Sequence, residues 1–200
     1  MTILVIQGGM AVGKTTVVNA IKKHFPFISI INEDNRDVIE EIRRRNLDKN
    51  LFEDYIKIQR LWLQKEIERW EKAKKHPFVL MDYGPEEIEF HTLYYPNSIG
   101  KSWNVEKELE TELSQIRQCV PDGILFLEAS IDTLRARRKK DATRQRGFFE
   151  HYTKEMLPLK KEWLLQKDNV DFLDVDNLSK EEVEKAVLTW CQPYLKKGNL

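Results

Sequence analysis

Residues 8–16 read GGMAVGKTT, one residue after the apolar run ILVI at 3–6. Three of these nine residues are glycines, which lose more conformational entropy on folding than any other residue. The stretch also holds Lys14, whose charge is costly to remove from water. Residues 14–24 then follow a helical pattern, so the stretch is predicted to join a strand to a helix. A bound ligand must offset the cost of the glycines and of the lysine.

The spacing of Gly8, Gly13, Lys14 and Thr15 matches the pattern G-x-x-x-x-G-K-[ST] in its required strand-to-helix context. In such a loop, backbone N–H groups surround an anion and the following helix adds its positive end. Lys14 is predicted to reach the β- and γ-phosphates, and the Thr15 hydroxyl to ligate Mg²⁺. We therefore predict that ATP and Mg²⁺ bind this phosphate-binding loop, through Gly8, Gly9, Met10, Ala11, Val12, Gly13, Lys14, Thr15 and Thr16.

The rest of the chain alternates short apolar runs with helical patterns. Strands are predicted at 3–6, 27–31, 78–81, 123–127 and 170–175. Long helical stripes cover about 50–74 and run from Val105 to Val120, and Ser179 with Glu182 forms the capping box of a last helix. This alternation predicts an α/β fold of three layers, with a central five-stranded parallel sheet flanked by helices. We expect a single domain over 1–200, with loop and short helix over 82–103.

Composition excludes several classes of protein. Lys plus Arg and Asp plus Glu each total 33, and this balance argues against a generic nucleic-acid or membrane-surface binder. Cys119 and Cys191 match no metal or redox spacing, so both are expected to be buried free thiols in a reducing compartment. The sequence has no basic n-region and no apolar run long enough for a signal peptide or membrane span. A cytoplasmic protein is expected.

Acidic residues follow two of the predicted strands. Asp82 ends the run at 78–81, where a carboxylate can hold Mg²⁺ directly or through water; the alternative is a turn former before Gly84. Glu33 and Asp34 follow the run at 27–31, and ligands of open α/β sheets lie beyond the carboxyl ends of strands. Asp34 can instead cap the next helix, so Glu33 is the better candidate for a catalytic base.

Residues 135–146 read RARRKKDATRQR, with seven cations and one acid in a chain of zero net charge. Such a density of like charge indicates an anionic partner, which in phosphoryl transfer is the migrating phosphoryl group. We predict a basic lid at about 135–150, with Arg144 and Arg146 on the reacting phosphate and with Arg135 and Arg138 lining its base. A solvated helix face is the main alternative. A nucleic-acid patch lacks a second basic region.

With these features in place, the chain resembles the P-loop kinases of the deoxynucleoside kinase and thymidylate kinase group. The resemblance implies that Glu33 is the catalytic carboxylate and that Gln59 holds a nucleobase through its amide. Residues 144–164 are similar to the family's lid and the helix that follows it. One departure is that Asp82 is followed by Tyr83 rather than by the family's arginine. Arg36, Arg43 or Arg44 could replace that arginine, or the acceptor could carry no phosphate.

The acceptor side is predicted from residues that suit a planar base. The aromatic residues that could stack on it are Tyr55, Trp62, Phe90, Tyr94, Tyr95 and Trp103, although aromatics at helical spacing also form cores. The predicted substrate site consists of Arg36, Gln59, Trp62 and Tyr83. The predicted function is ATP-dependent phosphoryl transfer to a small-molecule acceptor, a nucleoside or nucleotide. The alternatives are a non-nucleoside acceptor and a nucleotide-dependent regulatory NTPase, although N-K-x-D and LSGGQ-like motifs are absent. A homodimer through the two long helices stays open.

Overall fold

The structure, a computed structural model, describes residues 1–140 and 147–197. The elements in chain order are β1 (Thr2–Gly8), α1 (Lys14–His24), β2 (Ser29–Ile31), α2 (Arg36–Arg44), α3 (Phe52–Ala73), β3 (Phe78–Asp82), α4 (Pro85–Ser98), α5 (Val105–Glu108), α6 (Glu110–Ile116), β4 (Gly123–Glu128), α7 (Ile131–Lys140), α8 (Phe149–His151), a π-helical turn (Tyr152–Met156), α9 (Leu157–Leu164), β5 (Val170–Asp174) and α10 (Lys180–Lys197).

The chain divides into two compact units. The sheet unit comprises Met1–Ile31, His76–Asp82 and the chain from Pro121 onward. The helical unit comprises Asn32–Lys75 and Tyr83–Val120. The expected single-domain organisation stays a prediction.

The sheet unit is built on five parallel strands in the order β2-β3-β1-β4-β5. β1 lies at the centre, and all seven of its residues are buried. Covering both faces of a parallel sheet requires nearly continuous apolar strands, which is the pattern the sequence shows. The predicted five-stranded parallel sheet is confirmed.

Two side-chain contacts on β4 show that helices cover both faces of this sheet. A Cβ added at Gly123 would lie 2.6 Å from the Tyr194 hydroxyl of α10. Phe126, three residues further along β4, has the Lys160 ammonium of α9 at 5.5 Å from its ring centroid. Because successive strand residues point to opposite faces, α9 and α10 lie on opposite sides of the sheet. The three-layer prediction is therefore confirmed within the sheet unit.

The helical unit packs around the long helix α3. Leu63 of α3 and Phe90, Leu109 and Leu113 of the neighbouring segments are all fully buried. Charged side chains join the same helices at the surface: Arg60 pairs with Glu112 at 2.7 Å. Part of the aromatic set expected to face a substrate belongs to this core, since Tyr55, Phe90 and Tyr95 are buried.

The expectation of loop and short helix over 82–103 is wrong in one respect, because α4 is a continuous helix of 14 residues. Pro96 lies inside α4 and has no N–H to donate to the carbonyl of Thr92, four residues earlier. The Tyr55 hydroxyl donates to the Thr92 carbonyl at 3.0 Å instead. A side chain from α3 thus satisfies the acceptor that the proline leaves, and the helix continues.

Other local predictions have mixed outcomes. The capping box is confirmed, since the Ser179 N–H donates to Glu182 Oε2 at 2.8 Å and the Glu182 N–H to Ser179 Oγ at 3.2 Å. In the stripe from Val105 to Val120, the predicted burial of Val105, Leu109, Leu113 and Ile116 is confirmed. The helix is nevertheless broken between α5 and α6, and Val120 is 65% exposed beyond α6. Cys119 and Cys191 are buried free thiols, as predicted. Within the described residues, every helix is too short or too polar to cross a lipid bilayer.

Candidate functional site

The phosphate-binding loop joins the end of β1 to the start of α1, as predicted. Its backbone is left-handed at three positions, with φ values of 145° at Gly8, 68° at Ala11 and 113° at Gly13. A Cβ at Gly8 would lie 2.6 Å from the Leu127 carbonyl oxygen of β4, so this position requires glycine for space as well as for φ. At Gly13 nothing lies within 4 Å, and φ alone favours glycine.

Lys14 extends back over this loop. Its ammonium donates hydrogen bonds to the carbonyls of Gly8 and Gly9, both at 3.1 Å. Thr15 and Thr16 are exposed in the first turn of α1, where the backbone N–H groups of a helix attract anions. The ammonium and the helix N-terminus therefore lie at the two sides of one loop, the arrangement that binds a polyphosphate.

Thr15 and Asp82 supply oxygen ligands of the kind that Mg²⁺ prefers. Asp82 is the last residue of β3 and pairs with Ile6 of β1, two residues before the loop begins. Mg²⁺ is usually bound by one or two carboxylates together with substrate phosphates rather than by an all-protein cage. The described residues contain no cluster of three or more His, Cys, Asp or Glu side chains that could hold a metal ion. The residues present fit a magnesium ion that arrives with a nucleotide.

Arg137 of α7 contacts the loop directly. Its guanidinium donates to the Val12 carbonyl at 2.8 Å and to the Val175 carbonyl, just after β5, at 3.0 Å. This residue was missed in the sequence analysis, because adjacent arginines carry no signal that tells which one faces the loop. The bidentate contact fixes the loop to α7 and to the end of β5.

The other basic residues of this region have different partners. Arg135 pairs with Glu150 at 2.7 Å, and the Arg138 guanidinium lies 4.7 Å from the centroid of the Phe149 ring. Arg138 also lies 3.9 Å from the Glu150 carboxylate. The two arginines predicted to act on the phosphate, Arg144 and Arg146, lie outside the described residues.

A cavity of about 240 Å³ opens beside the phosphate-binding loop. One wall belongs to the loop and α1, another to Arg137, and a third to the start of α10. The lining residues are Val12, Gly13, Thr16, Val17, Arg137, Leu178, Lys180, Val183 and Glu184. Its volume lies below the range of about 300–1,000 Å³ typical of pockets for drug-sized ligands.

Glu33 and Arg36 lie at the start of the helical unit. Glu33 is exposed, and its Oε1 accepts a hydrogen bond from the Asn35 side-chain amide at 2.5 Å. Arg36 forms an ion pair with Asp34 at 3.0 Å, and the Arg36 side chain is 85% exposed. The hydrogen bond from Arg36 lowers the pKa of Asp34 to about 2, which makes this carboxylate a weaker base than an ordinary aspartate.

Gln59, Trp62 and Tyr83 are the other predicted substrate residues. The Gln59 amide oxygen accepts from the Thr92 hydroxyl at 2.9 Å, which fixes the orientation of a largely buried amide. Trp62 is half-buried on the same helix, three residues further along. Tyr83 has a φ of 58°, a left-handed conformation that is strained for a bulky residue and is concentrated at functional sites.

A buried ion pair on α3 was missed in the sequence analysis. Glu66 and Arg69 are 3% and 5% exposed, and Arg69 Nη1 donates to Glu66 Oε2 at 2.5 Å. Burial raises the pKa of Glu66; the Arg69 guanidinium opposes this shift, and the charges of Glu33 and Glu87 add to it. No pattern in the sequence marks these two residues, since an i, i+3 charge pair on a helix is usually solvated.

The family model described as an AAA domain, AAA_28, matches residues 3–177. The chain belongs to this family. The match runs from the first residues of β1 to just beyond β5, and so includes the loop, Asp82 and Arg137. No curated protein matches the chain closely enough to stand as a relative.

Solved structures that resemble this AAA-domain chain include two kinds of kinase. Deoxyadenosine kinase from M. mycoides with bound dCTP has a TM-score of 0.68 at 16% identity, covering 96% of this chain and 100% of that one. The same kinase with the products dCMP and dCDP gives 0.71 at 18% identity, with the same coverage. Thymidylate kinase from Candida albicans gives 0.66 at 13% identity, covering 100% of this chain and 93% of that one. At these identities the likeness establishes the fold, and the resemblance drawn from the sequence is confirmed at that level.

Proposed function

We propose that this protein transfers the γ-phosphoryl group of ATP to a small-molecule acceptor, a nucleoside or a nucleotide. The observation that carries the proposal is the geometry of the phosphate-binding loop, with the Lys14 ammonium 3.1 Å from two loop carbonyls. Support for the acceptor class comes from the fold, which over nearly the whole chain resembles kinases that act on such molecules.

On the donor side, the loop amides and Lys14 bind the β- and γ-phosphates of ATP. Lys14 stays on the phosphate oxygens as their charge rises in the transition state. A magnesium ion held by the Thr15 hydroxyl and the Asp82 carboxylate would neutralise part of this charge. Arg144 and Arg146 are proposed to stabilise the transferring group, and the cavity beside Arg137 to receive the base of the donor, with Arg138 at the base of the lid.

On the acceptor side, Glu33 accepts the proton of the attacking hydroxyl. Gln59 is proposed to hydrogen-bond the base of the acceptor, and Trp62 and Tyr83 to contact its ring. Arg36 is proposed to contact an acceptor phosphate when one is present, which requires it to leave Asp34. A cytoplasmic location and a homodimer remain predictions of the sequence.

The test of this proposal is ADP release from Mg-ATP in the presence of a panel of nucleosides, nucleoside monophosphates and other small alcohols. At least one acceptor should raise turnover well above the rate with water alone. Lys14→Ala should lower that turnover by 100-fold or more, since preorganised contacts to a developing charge are worth about 10²–10³-fold. Lys22→Ala, an exposed lysine near the end of the same helix, should leave it unchanged.

Two outcomes would contradict the proposal. Turnover that no acceptor increases would defeat the kinase function and favour the regulatory NTPase. Turnover with alcohols but not with nucleosides or nucleotides would retain the kinase and reassign its acceptor.

The role of Glu33 is tested by Glu33→Gln. Removing a general base typically lowers the rate by about 10²–10⁴-fold, so kcat should fall far more than KM for ATP rises. The matched control is Glu40→Gln, an exposed carboxylate on α2, which should behave as the wild type. Equal changes in kcat and in KM for ATP would exclude Glu33 as the base.

A further inference from the structure

The cavity beside the phosphate-binding loop carries one ion pair, between Lys180 and Glu184 of α10. We propose that these two side chains read the base of the phosphoryl donor, and that their chemistry lets the protein use GTP as well as ATP. This inference rests on the proposed kinase function and concerns its donor rather than its acceptor.

The position of the cavity assigns it to the base of a bound nucleotide. Gly13 and Thr16 belong both to the phosphate-binding loop and to the cavity wall. A nucleotide with its phosphates in the loop therefore has this cavity beside it. Arg137 closes another side, where two hydrogen bonds hold its guanidinium in place.

The stability of α10 does not explain why position 180 is a lysine. Lys180 is the first residue of the helix, where a cation opposes the helix dipole, whereas Glu181 and Glu182 in the same turn favour it. Lys180 and Glu184 lie 3.7 Å apart, with the lysine N-terminal to the glutamate, which is the weaker order for an i, i+4 pair. Lys180 therefore gives the helix little, and its ammonium lies at the cavity wall, where a bound base can accept a hydrogen bond from it.

The two charges match the edge of a purine. Guanine presents O6 as an acceptor beside the N1–H and N2–H₂ donors, so the Glu184 carboxylate can accept two parallel hydrogen bonds while Lys180 donates to O6. Adenine presents the N6–H₂ donor beside the N1 acceptor, so each side chain makes one bond. Bidentate bonds to a carboxylate are the stronger kind. The Glu184 side chain is 33% exposed and the Lys180 side chain 65%, so solvent screens the contact of the carboxylate less than that of the ammonium.

The test compares kcat/KM for ATP and GTP, with one acceptor held fixed, in the wild type and in Glu184→Gln. GTP should support turnover in the wild type within about tenfold of ATP. The variant keeps one carbonyl acceptor and loses the bidentate contact, so GTP should fall about tenfold more than ATP, the discrimination typical of one bidentate base contact. Glu181→Gln, which removes a carboxylate from the same turn outside the cavity, should leave the GTP-to-ATP ratio unchanged.

Titration calorimetry with Mg-ATP and Mg-GTP separates this inference from the proposed function, because it needs no acceptor. A selective loss of GTP binding in Glu184→Gln supports the role of Glu184 in recognising the donor base, even when no acceptor is phosphorylated. The absence of phosphorylation would contradict only the proposed kinase function. An unchanged ratio of the two dissociation constants in the variant overturns the inference, whatever the turnover. Binding of ATP but not GTP to the wild type overturns it as well.

Discussion

Gly8 shows how closely the sheet and the phosphate-binding loop are packed. Its backbone leaves β1 with a φ of 145° against the carbonyl of Leu127 in the neighbouring strand. No side chain fits between the two backbones, so the loop begins directly on the sheet. The orientation of the first loop amide is thus set by the strand pairing of β1 with β4.

Gly8→Ala should destabilise the protein more than a substitution that is strained in φ alone. The matched control is Gly100→Ala, where φ is 72° and nothing lies within 4 Å of the added Cβ, so only about 1–2 kcal/mol of backbone strain is expected. At Gly8 the Cβ also meets a carbonyl at 2.6 Å, and this overpacking should add about 1–3 kcal/mol. Urea unfolding of both variants measures the difference. Equal losses would mean that the loop shifts without cost.

Glu66 should make stability depend on pH. Burial raises the pKa of its carboxyl in the folded state, so between the unfolded and folded pKa values the folded protein holds more protons. The free energy of unfolding contributed by Glu66 is therefore full below its ordinary pKa and falls as the pH rises through the folded value. The stability of the wild type relative to Glu66→Gln should decline as the pH rises from the ordinary pKa of a glutamate, 4.5, through the raised value of the folded state.

Thermal unfolding of both proteins across this pH range measures the effect. Glu68→Gln, an exposed carboxylate on the same helix, should follow the wild type throughout. Parallel curves for Glu66→Gln and the wild type would show that the Arg69 charge compensates the burial completely.

The sequence alone predicted those residues whose roles follow from their local spacing and chemistry. The glycine, lysine and threonine spacing of the phosphate-binding loop needs no knowledge of the fold, and Lys14 is found over the loop. The choice between Arg137 and Arg138 depends on the rotation of α7 about its axis, which a run of arginines and lysines does not reveal. Glu66 and Arg69 were missed for a related reason, since their burial depends on which face of α3 is covered.

The helix α4 depends on a hydrogen bond from a side chain of the neighbouring helix α3. The Tyr55 hydroxyl donates to the carbonyls of His91 and Thr92 at 3.1 and 3.0 Å, and Pro96 supplies no N–H to the second of these. Tyr55→Phe should cost about 1–3 kcal/mol, the usual effect of leaving a buried acceptor unsatisfied. In Pro96→Ala the new N–H can donate to Thr92, so Tyr55→Phe should cost clearly less there.

A double-mutant cycle by urea unfolding gives the coupling between the two positions. A cost of Tyr55→Phe that is the same in both backgrounds would show that the hydroxyl does not replace the missing proline N–H. The same contact explains why the sequence did not predict α4 as one continuous helix. The residue that allows its proline lies 41 positions earlier in the chain, on a different helix.

The reactivity of the two cysteines reports on the opening of the two units separately. Cys191 lies in the sheet unit and Cys119 in the helical unit. Burial raises the pKa of each thiol to about 12, so the reactive thiolate is scarce while the surrounding unit is closed. A thiol reagent applied to Cys119→Ala and Cys191→Ala, each with one remaining cysteine, should therefore react slowly in the folded protein.

Mg-ATP at 100 times its dissociation constant stabilises the state that binds it by about 2.7 kcal/mol. It should slow the labelling of Cys191, in the unit that holds the phosphate-binding loop, by up to about 100-fold, and that of Cys119 by less. Equal slowing of the two thiols would show that the chain opens as one cooperative body, as the single-domain prediction requires.

The Arg137 contact has an electrostatic consequence. Both of its hydrogen bonds go to uncharged carbonyls, so the charged guanidinium is fixed in position, and the nearby Asp176 carboxylate compensates only part of its charge. Together with Lys14 it gives the loop a standing positive potential before any triphosphate arrives. Attraction of this kind acts during diffusion and is screened over about 10 Å at 0.1 M salt. The speed at which the protein captures its nucleotide is thus tuned by ionic strength, through a cation that never has to touch the phosphates.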